Sequence, residues 1–179
     1  MLRAETPRPG SVRTNTMWPR LALWAALGGG VLALGAAAHF ASEHALMINA
    51  SPSLPHWAIW LDRTKAPQRG DLIVFMPPAS ALVTRHFGPQ PRPFGKRVLG
   101  LAGDRVTETN RMFAVNGRSV ALAKPISRLG EPLALGPTGT IPKGCYFVAT
   151  GHKDGFDSRY AAIGWVCKAQ VLGTGRPVL

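Results

Sequence analysis

Ser51 and Ser53, separated by Pro52, place two hydroxyls close together in the chain. Lys96 follows much later, among Phe94, Val98, Leu99 and Leu101. A serine hydroxyl is a poor nucleophile until a neighbouring base takes its proton. Lysine serves as that base when desolvation disfavours its ammonium form and brings its pKa into the working range. On a strand buried on one face, Lys96 meets this condition. On an exposed strand it is a lysine whose stem packs and whose ammonium reaches water. The separation of the serines and the lysine in sequence decides nothing between the two.

Other chemistries fare worse. The chain has 5 histidines, and His152 with Asp157 suggests part of a Ser-His-Asp triad. However, no serine lies in a G-x-S-x-G elbow, and His39 and His44 fall in or beside an apolar run. Surface and packing roles suit these histidines better. Gly95-Lys96, with Gly88 before it, imitates the end of a phosphate-binding loop. Its spacing is too long, it contains Pro89, Pro91 and Pro93, and Arg97 stands where a serine or threonine would hold magnesium. Cys145 and Cys167 are the only cysteines and form no C-x-x-C pair, so zinc is not expected. They flank residues 151–164, whose ends a disulfide would tie together if the domain is exported, two buried thiols being the alternative. No cofactor and no metal are expected.

The elements that must carry these residues follow from composition. At 179 residues the chain has room for one ordinary domain and an appendage. Residues 21–41 contain no Asp, Glu, Lys or Arg, and as a helix they would span about 30 Å of hydrocarbon. This segment reads as a transmembrane helix. Arg3, Arg8, Arg13 and Arg20 precede it, whereas Glu43 follows it and no Lys or Arg appears until Arg63. The positive-inside rule then keeps the tail, residues 1–20, in the cytoplasm and exports residues 45–179. A cleaved signal peptide is the rival reading, with Ala36, Ala37 and Ala38 as a small-residue site, but the apolar run is longer than a signal core. The formal net charge is +12. Outside the membrane a basic face suits anionic headgroups of the lipid surface, and no recognition motif supports nucleic acid.

Beyond Ala50 no long stretch has helical periodicity. Short apolar runs punctuated by Gly and Pro, at 57–61, 72–76, 96–101, 106–109, 112–115, 119–122, 145–150 and 165–172, read as strands. Asn116-Gly117 between two of them is a strong hairpin signal. The proline-rich segment 125–143 reads as a surface excursion without a regular core element, and 85–93 has the same character. The expected fold is all-β or mostly β, behind one N-terminal transmembrane helix.

Four segments, in order, resemble the boxes of the type I signal peptidases (family S26). Ser51-Pro52-Ser53-Leu54-Pro55 resembles the nucleophile box, and Gly70-Asp71-Leu72-Ile73-Val74-Phe75 the strand that follows. The run from Lys96 to Asp104 resembles the lysine box, and 151–164, with Asp157-Ser158-Arg159-Tyr160, the last box. The small size, Ser-Leu-Pro in place of Ser-Met, and Asn49 ahead of Ser51 look most like the conjugative-transfer (TraF-type) branch, which processes pilin subunits. The resemblance implies a signal-peptidase-like coiled β-sheet with Ser53 as nucleophile and Lys96 as general base. It implies Ser51 as an oxyanion donor, a supporting Asp157–Arg159 ion pair, and Asp104 holding the turn after the lysine strand. Gly155 stands where many of these enzymes have a serine that hydrogen-bonds the lysine. Trp57 replaces a glycine common in the TraF branch, and Ala102 a frequent proline.

The function expected is a membrane-anchored serine endopeptidase of a bacterial inner membrane, with its catalytic domain in the periplasm. Its partner would be a pilin or another exported precursor. Attack on the acyl-enzyme by the pilin's own N-terminus would cyclise the product, whereas water would give a linear one. The alternatives are a general signal peptidase for secreted preproteins and, from a different class, a non-enzymatic envelope subunit of a conjugation or secretion channel.

Overall fold

A computed structural model describes residues 17–48 and 54–178. The chain divides into two units, Met1–Ala41 and Ser42–Leu179.

In the first unit lies most of one helix, α1 (Met17–Glu43), which begins earlier than the uncharged run 21–41 and ends just beyond it. Pro19 falls in its first turn, where a missing N–H costs nothing. No residue of α1 is buried, and Trp18, Leu21, Leu23, Trp24 and Phe40 are exposed around its circumference. A helix that is apolar all round has no polar face to give to water. It is long and apolar enough to cross a membrane, and it is compatible with a single-pass anchor.

The second unit is built on two antiparallel sheets. Its strands are β1 (His44–Ile48), β2 (Ala58–Asp62), β3 (Leu72–Phe75), β4 (Phe94–Gly100), β5 (Arg105–Thr109), β6 (Met112–Val115), β7 (Arg118–Leu122), β8 (Gly139–Thr140), β9 (Cys145–Ala149), β10 (Val166–Cys167) and β11 (Val171–Pro177). The larger sheet has the order β1-β2-β11-β3-β4-β9-β10, and the smaller one β7-β6-β5-β8. All four residues of β3 and all five of β9 are buried, as expected of central strands covered on both faces. The mostly β expectation therefore holds. Between β6 and β7, Asn116 and Gly117 both adopt positive φ, 49° and 79°, and Val115 pairs with Arg118 across this two-residue turn. That is the geometry the Asn-Gly pair favours.

Several elements differ from the reading of the sequence. β1 was not expected, because the chain runs from apolar helix to apolar strand with no Gly or Pro between them. Its pairing with β2 sets the boundary. A short helix, α2 (Ala81–Phe87), was not expected, and it overlaps the start of 85–93, which reads as irregular. Ser80 caps it by accepting from the Val83 N–H at 3.1 Å, and seven residues are too few to display a helical period. The run 165–172 is broken into β10, a 3₁₀ turn (Lys168–Gln170) and the start of β11. Gln170 makes the break by accepting from the Cys167 N–H at 2.9 Å. Within 125–143, β8 adds to the edge of β5, and Leu133 and Ile141 enter the core.

Candidate active site

Lys96 occupies the third position of β4, between β3 and β9. It pairs with Ile73 and is only 5% exposed. The strand alternates, with Lys96, Val98 and Gly100 inward and Arg97 outward. Arg97 reaches the Gly70 carbonyl at 2.7 Å, so the two neighbouring cations have opposite surroundings. Lys96 Nζ lies 6.0 Å from the centroid of the Phe94 ring. Burial pushes its pKa below the ordinary lysine value. The Asp157 charge opposes that shift, and the Arg159 charge adds to it.

Beyond β9 the chain turns back on itself through residues 150–160. Ser158 anchors the return: its N–H donates to the Val148 carbonyl and its Oγ accepts from the Val148 N–H, both at 3.0 Å. Asp157 and Arg159 form a two-pronged pair, Nε to Oδ1 and Nη2 to Oδ2, each at 2.8 Å. Their side chains are 0% and 3% exposed. Arg159 also donates to the carbonyls of Leu122 and Gly155 at 2.8 and 3.0 Å. A buried arginine supplied with acceptors in this way keeps its charge.

A cleft of about 570 Å³ opens beside Lys96. Phe94, Phe87 and Phe156 supply apolar walls, and Gly155 also lines it. The Phe87 ring packs edge-on to Phe94 and tilts against Phe156. One wall thus comes from α2, and another from the excursion that includes Ile126 and Leu133. Glu131 joins the two elements by accepting from His86 Nε2 at 2.8 Å and by pairing with Arg85. Neither wall was legible as part of a site. The Ser80 cap was the available signal for α2, and nothing in the prolines of 125–143 marked that segment as lining a cleft.

The expected site residues divide into those the structure describes and those it does not. Asn49, Ser51 and Ser53 lie outside the described residues. Lys96, Asp157 and Arg159 are all buried, and the charges of Asp157 and Arg159 act on Lys96 in opposite directions. Asp104 stands apart, in the turn after β4. It accepts from the Leu101 N–H and from Arg69 Nη2, each at 2.6 Å, and from Asn116 Nδ2 at 2.7 Å. Burial alone would raise its pKa, but these donors outweigh burial and hold the carboxyl below its usual value. His152 is not matched to Asp157; its Nδ1 accepts from the Asp154 N–H at 3.2 Å. Cys145 and Cys167 sit opposite each other on β9 and β10. They are joined as a disulfide with a Cα–Cα distance of 3.9 Å.

A family model described as "Signal peptidase, peptidase S26" matches residues 20–179. Among solved structures, a signal peptidase I from Enterococcus faecalis is 28% identical, with a TM-score of 0.40, over 62% of this chain and 97% of that one. No curated protein matches the sequence.

Proposed function

The chain belongs to the signal peptidase S26 family and is a serine peptidase, and from that premise we propose that it is a membrane-anchored endopeptidase working through a Ser53/Lys96 dyad. The observation that carries this reading is Lys96, a cation buried on a central strand at the margin of an apolar cleft, with burial working against its charge. In the proposed reaction Lys96 Nζ takes the proton of Ser53 as Oγ attacks the scissile carbonyl. Ser51 Oγ and the Ser53 N–H donate to the oxyanion. The ammonium of Lys96 then returns its proton to the leaving amine, and an acyl-enzyme remains on Ser53.

Asp157 and Arg159 would keep the turn 150–160 against β4, and Asp104 would hold the turn that follows β4. The substrate is an exported precursor, for which the pilin of a conjugation system is the specific proposal. The anchor α1 would hold its N-terminus in the cytoplasm and the catalytic unit in the periplasm, at the inner membrane. An acyl-enzyme is open to any positioned amine as well as to water, so the precursor's own N-terminus would compete to give a circular product.

The deciding experiment is incubation of the full chain in detergent with a pilin precursor, followed by intact mass. Cleavage by the wild type and its loss in Ser53→Ala support the dyad, whereas cleavage that survives Ser53→Ala removes it. A product lighter by one water than the linear mature chain marks cyclisation. Cleavage of secretory preproteins but not of the pilin would make this a general signal peptidase.

A further inference from the structure

Thr150 follows the last residue of β9, and its side chain is anomalous. Its hydroxyl oxygen is buried and, among the described residues, has no hydrogen-bond partner. Its backbone is fully used: the N–H donates to Asp157 Oδ2 at 3.3 Å, and the carbonyl accepts from Arg159 Nη2 at 3.5 Å. Buried polar groups are almost always hydrogen-bonded, so an orphan among otherwise satisfied groups points to a partner engaged in function.

Two further observations identify that partner. β4 and β9 pair Val98 with Val148 and Arg97 with Ala149, and the same register continued one residue past the end of β9 would set Lys96 opposite Thr150. Directly opposed residues of antiparallel strands present their side chains on one face, and Val98 and Val148 share a single buried cluster. The third observation is Gly155. A Cβ placed there would come within 2.6 Å of both Thr150 Oγ1 and Arg159 Nη2. The lack of a side chain at 155 therefore leaves the space that the threonine hydroxyl uses.

We infer that Thr150 is the positioning residue for Lys96, its Oγ accepting a hydrogen bond from Nζ so that the amine lone pair faces the nucleophilic hydroxyl. The inference rests on the Ser53/Lys96 reading. A neutral amine has two N–H groups and one lone pair, and free rotation about Cε–Nζ spreads that lone pair over unproductive directions. Holding one N–H on a fixed acceptor selects the productive direction. After proton transfer the same acceptor receives an N–H of the ammonium, where little water is present to do so.

The test uses the full chain in detergent and a fluorogenic peptide with Ala-X-Ala before the cut. Thr150→Val keeps the shape and deletes the hydroxyl. It should lower kcat about 10-fold to 100-fold with KM unchanged. It should also move the ascending limb of kcat/KM to lower pH, because the ammonium loses an acceptor. Its Tm should change little, since valine fills the same space and a single hydrogen bond contributes little net stability. Thr150→Ser should restore both kcat and the limb. Wild-type kcat in Thr150→Val, a loss of kcat that follows a loss of Tm, or failure of Thr150→Ser to restore kcat would each overturn the inference. Lys96→Met in the same assay separates the two levels. If it is active, the dyad itself is wrong; if it is inactive while Thr150→Val is unimpaired, only the role of Thr150 is lost.

Discussion

Lys96 in the middle of β4 and Arg159 in the turn after β9 are both buried cations, 5% and 2% exposed, and the protein treats them in opposite ways. Around Arg159 it supplies a carboxylate with both oxygens engaged and a set of carbonyls from Leu122, His152 and Gly155. Its pKa is raised: burial would lower it, and the Asp157 hydrogen bonds and charge outweigh burial. Around Lys96 burial is the largest influence, and the pKa goes down. Burying a cation does not by itself decide its charge; the acceptors built around it do. Arg159 is thereby held as a structural charge, and on the proposed dyad Lys96 is the group that exchanges a proton.

Replacing Lys96 should give the largest effect and the clearest test of this contrast. On the proposed dyad Lys96→Met removes the base, and peptide cleavage should fall about 100-fold to 10,000-fold, with the fold retained by circular dichroism. Lys96→Arg should be nearly as inactive, because a guanidinium does not accept the proton at any working pH. Full activity in either variant would place the base elsewhere. Asp157→Asn acts on the opposite member. It leaves the Arg159 charge buried without its counter-ion and should cost about 3–5 kcal/mol in chemical unfolding. It also removes the charge that opposes the Lys96 shift, so whatever activity remains should have its ascending limb at lower pH. A loss under about 1 kcal/mol would mean that the carbonyls alone sustain Arg159, and the contrast would then rest on the wrong group.

The two sides of this comparison were unequally legible. Lys96 could be read as a candidate base because it lies among apolar residues on a strand located to within a few residues, but only the resemblance to the lysine box favoured the base over an ordinary surface lysine. Asp157 and Arg159 were reached through the resemblance of the whole segment, since a carboxylate two residues from an arginine is ordinary in any loop. Thr150 was invisible, because an unpaired hydroxyl is a property of packing and register. The cleft walls were missed for a related reason. α2 is a capped helix of about two turns held by contacts from Phe87 to Phe94 and Phe156, and such tertiary support leaves no periodic trace in seven residues. Where local chemistry dictates the backbone, as at Asn116-Gly117, sequence and structure agree.

The disulfide tests whether the Arg159 side is held by its charges alone. Cys145–Cys167 closes a separation of 22 residues around the turn and ties β9 to β10. Cys145→Ala with Cys167→Ala should cost about 2–4 kcal/mol in unfolding free energy. The pH limb of the remaining activity should stay where it is, because the Lys96 surroundings lie at the other end of β9. A shifted limb would show that the ion pair needs the bridge to stay in register.

The smallest expected effect is the linkage between Lys96 and stability, and it separates the two cations by sign. The unfolded chain titrates this lysine near 10.5, and the folded one below that value. Between the two values the unfolded state binds more protons, so stability rises with pH, and burial of the ammonium costs most below the folded pKa. Lys96→Met has no such proton to lose. Its unfolding free energy should exceed that of the wild type near neutral pH, and the gap should narrow as pH approaches 10.5. Arg159 sets no window of this kind, because its guanidinium remains charged in both states throughout the range. Paired denaturant titrations of the wild type and Lys96→Met along a pH series measure the gap directly. A constant gap would mean that Lys96 keeps its ordinary pKa in the fold. The amine would then be protonated at neutral pH, and the difference between the two buried cations would be one of position, with no consequence for proton transfer.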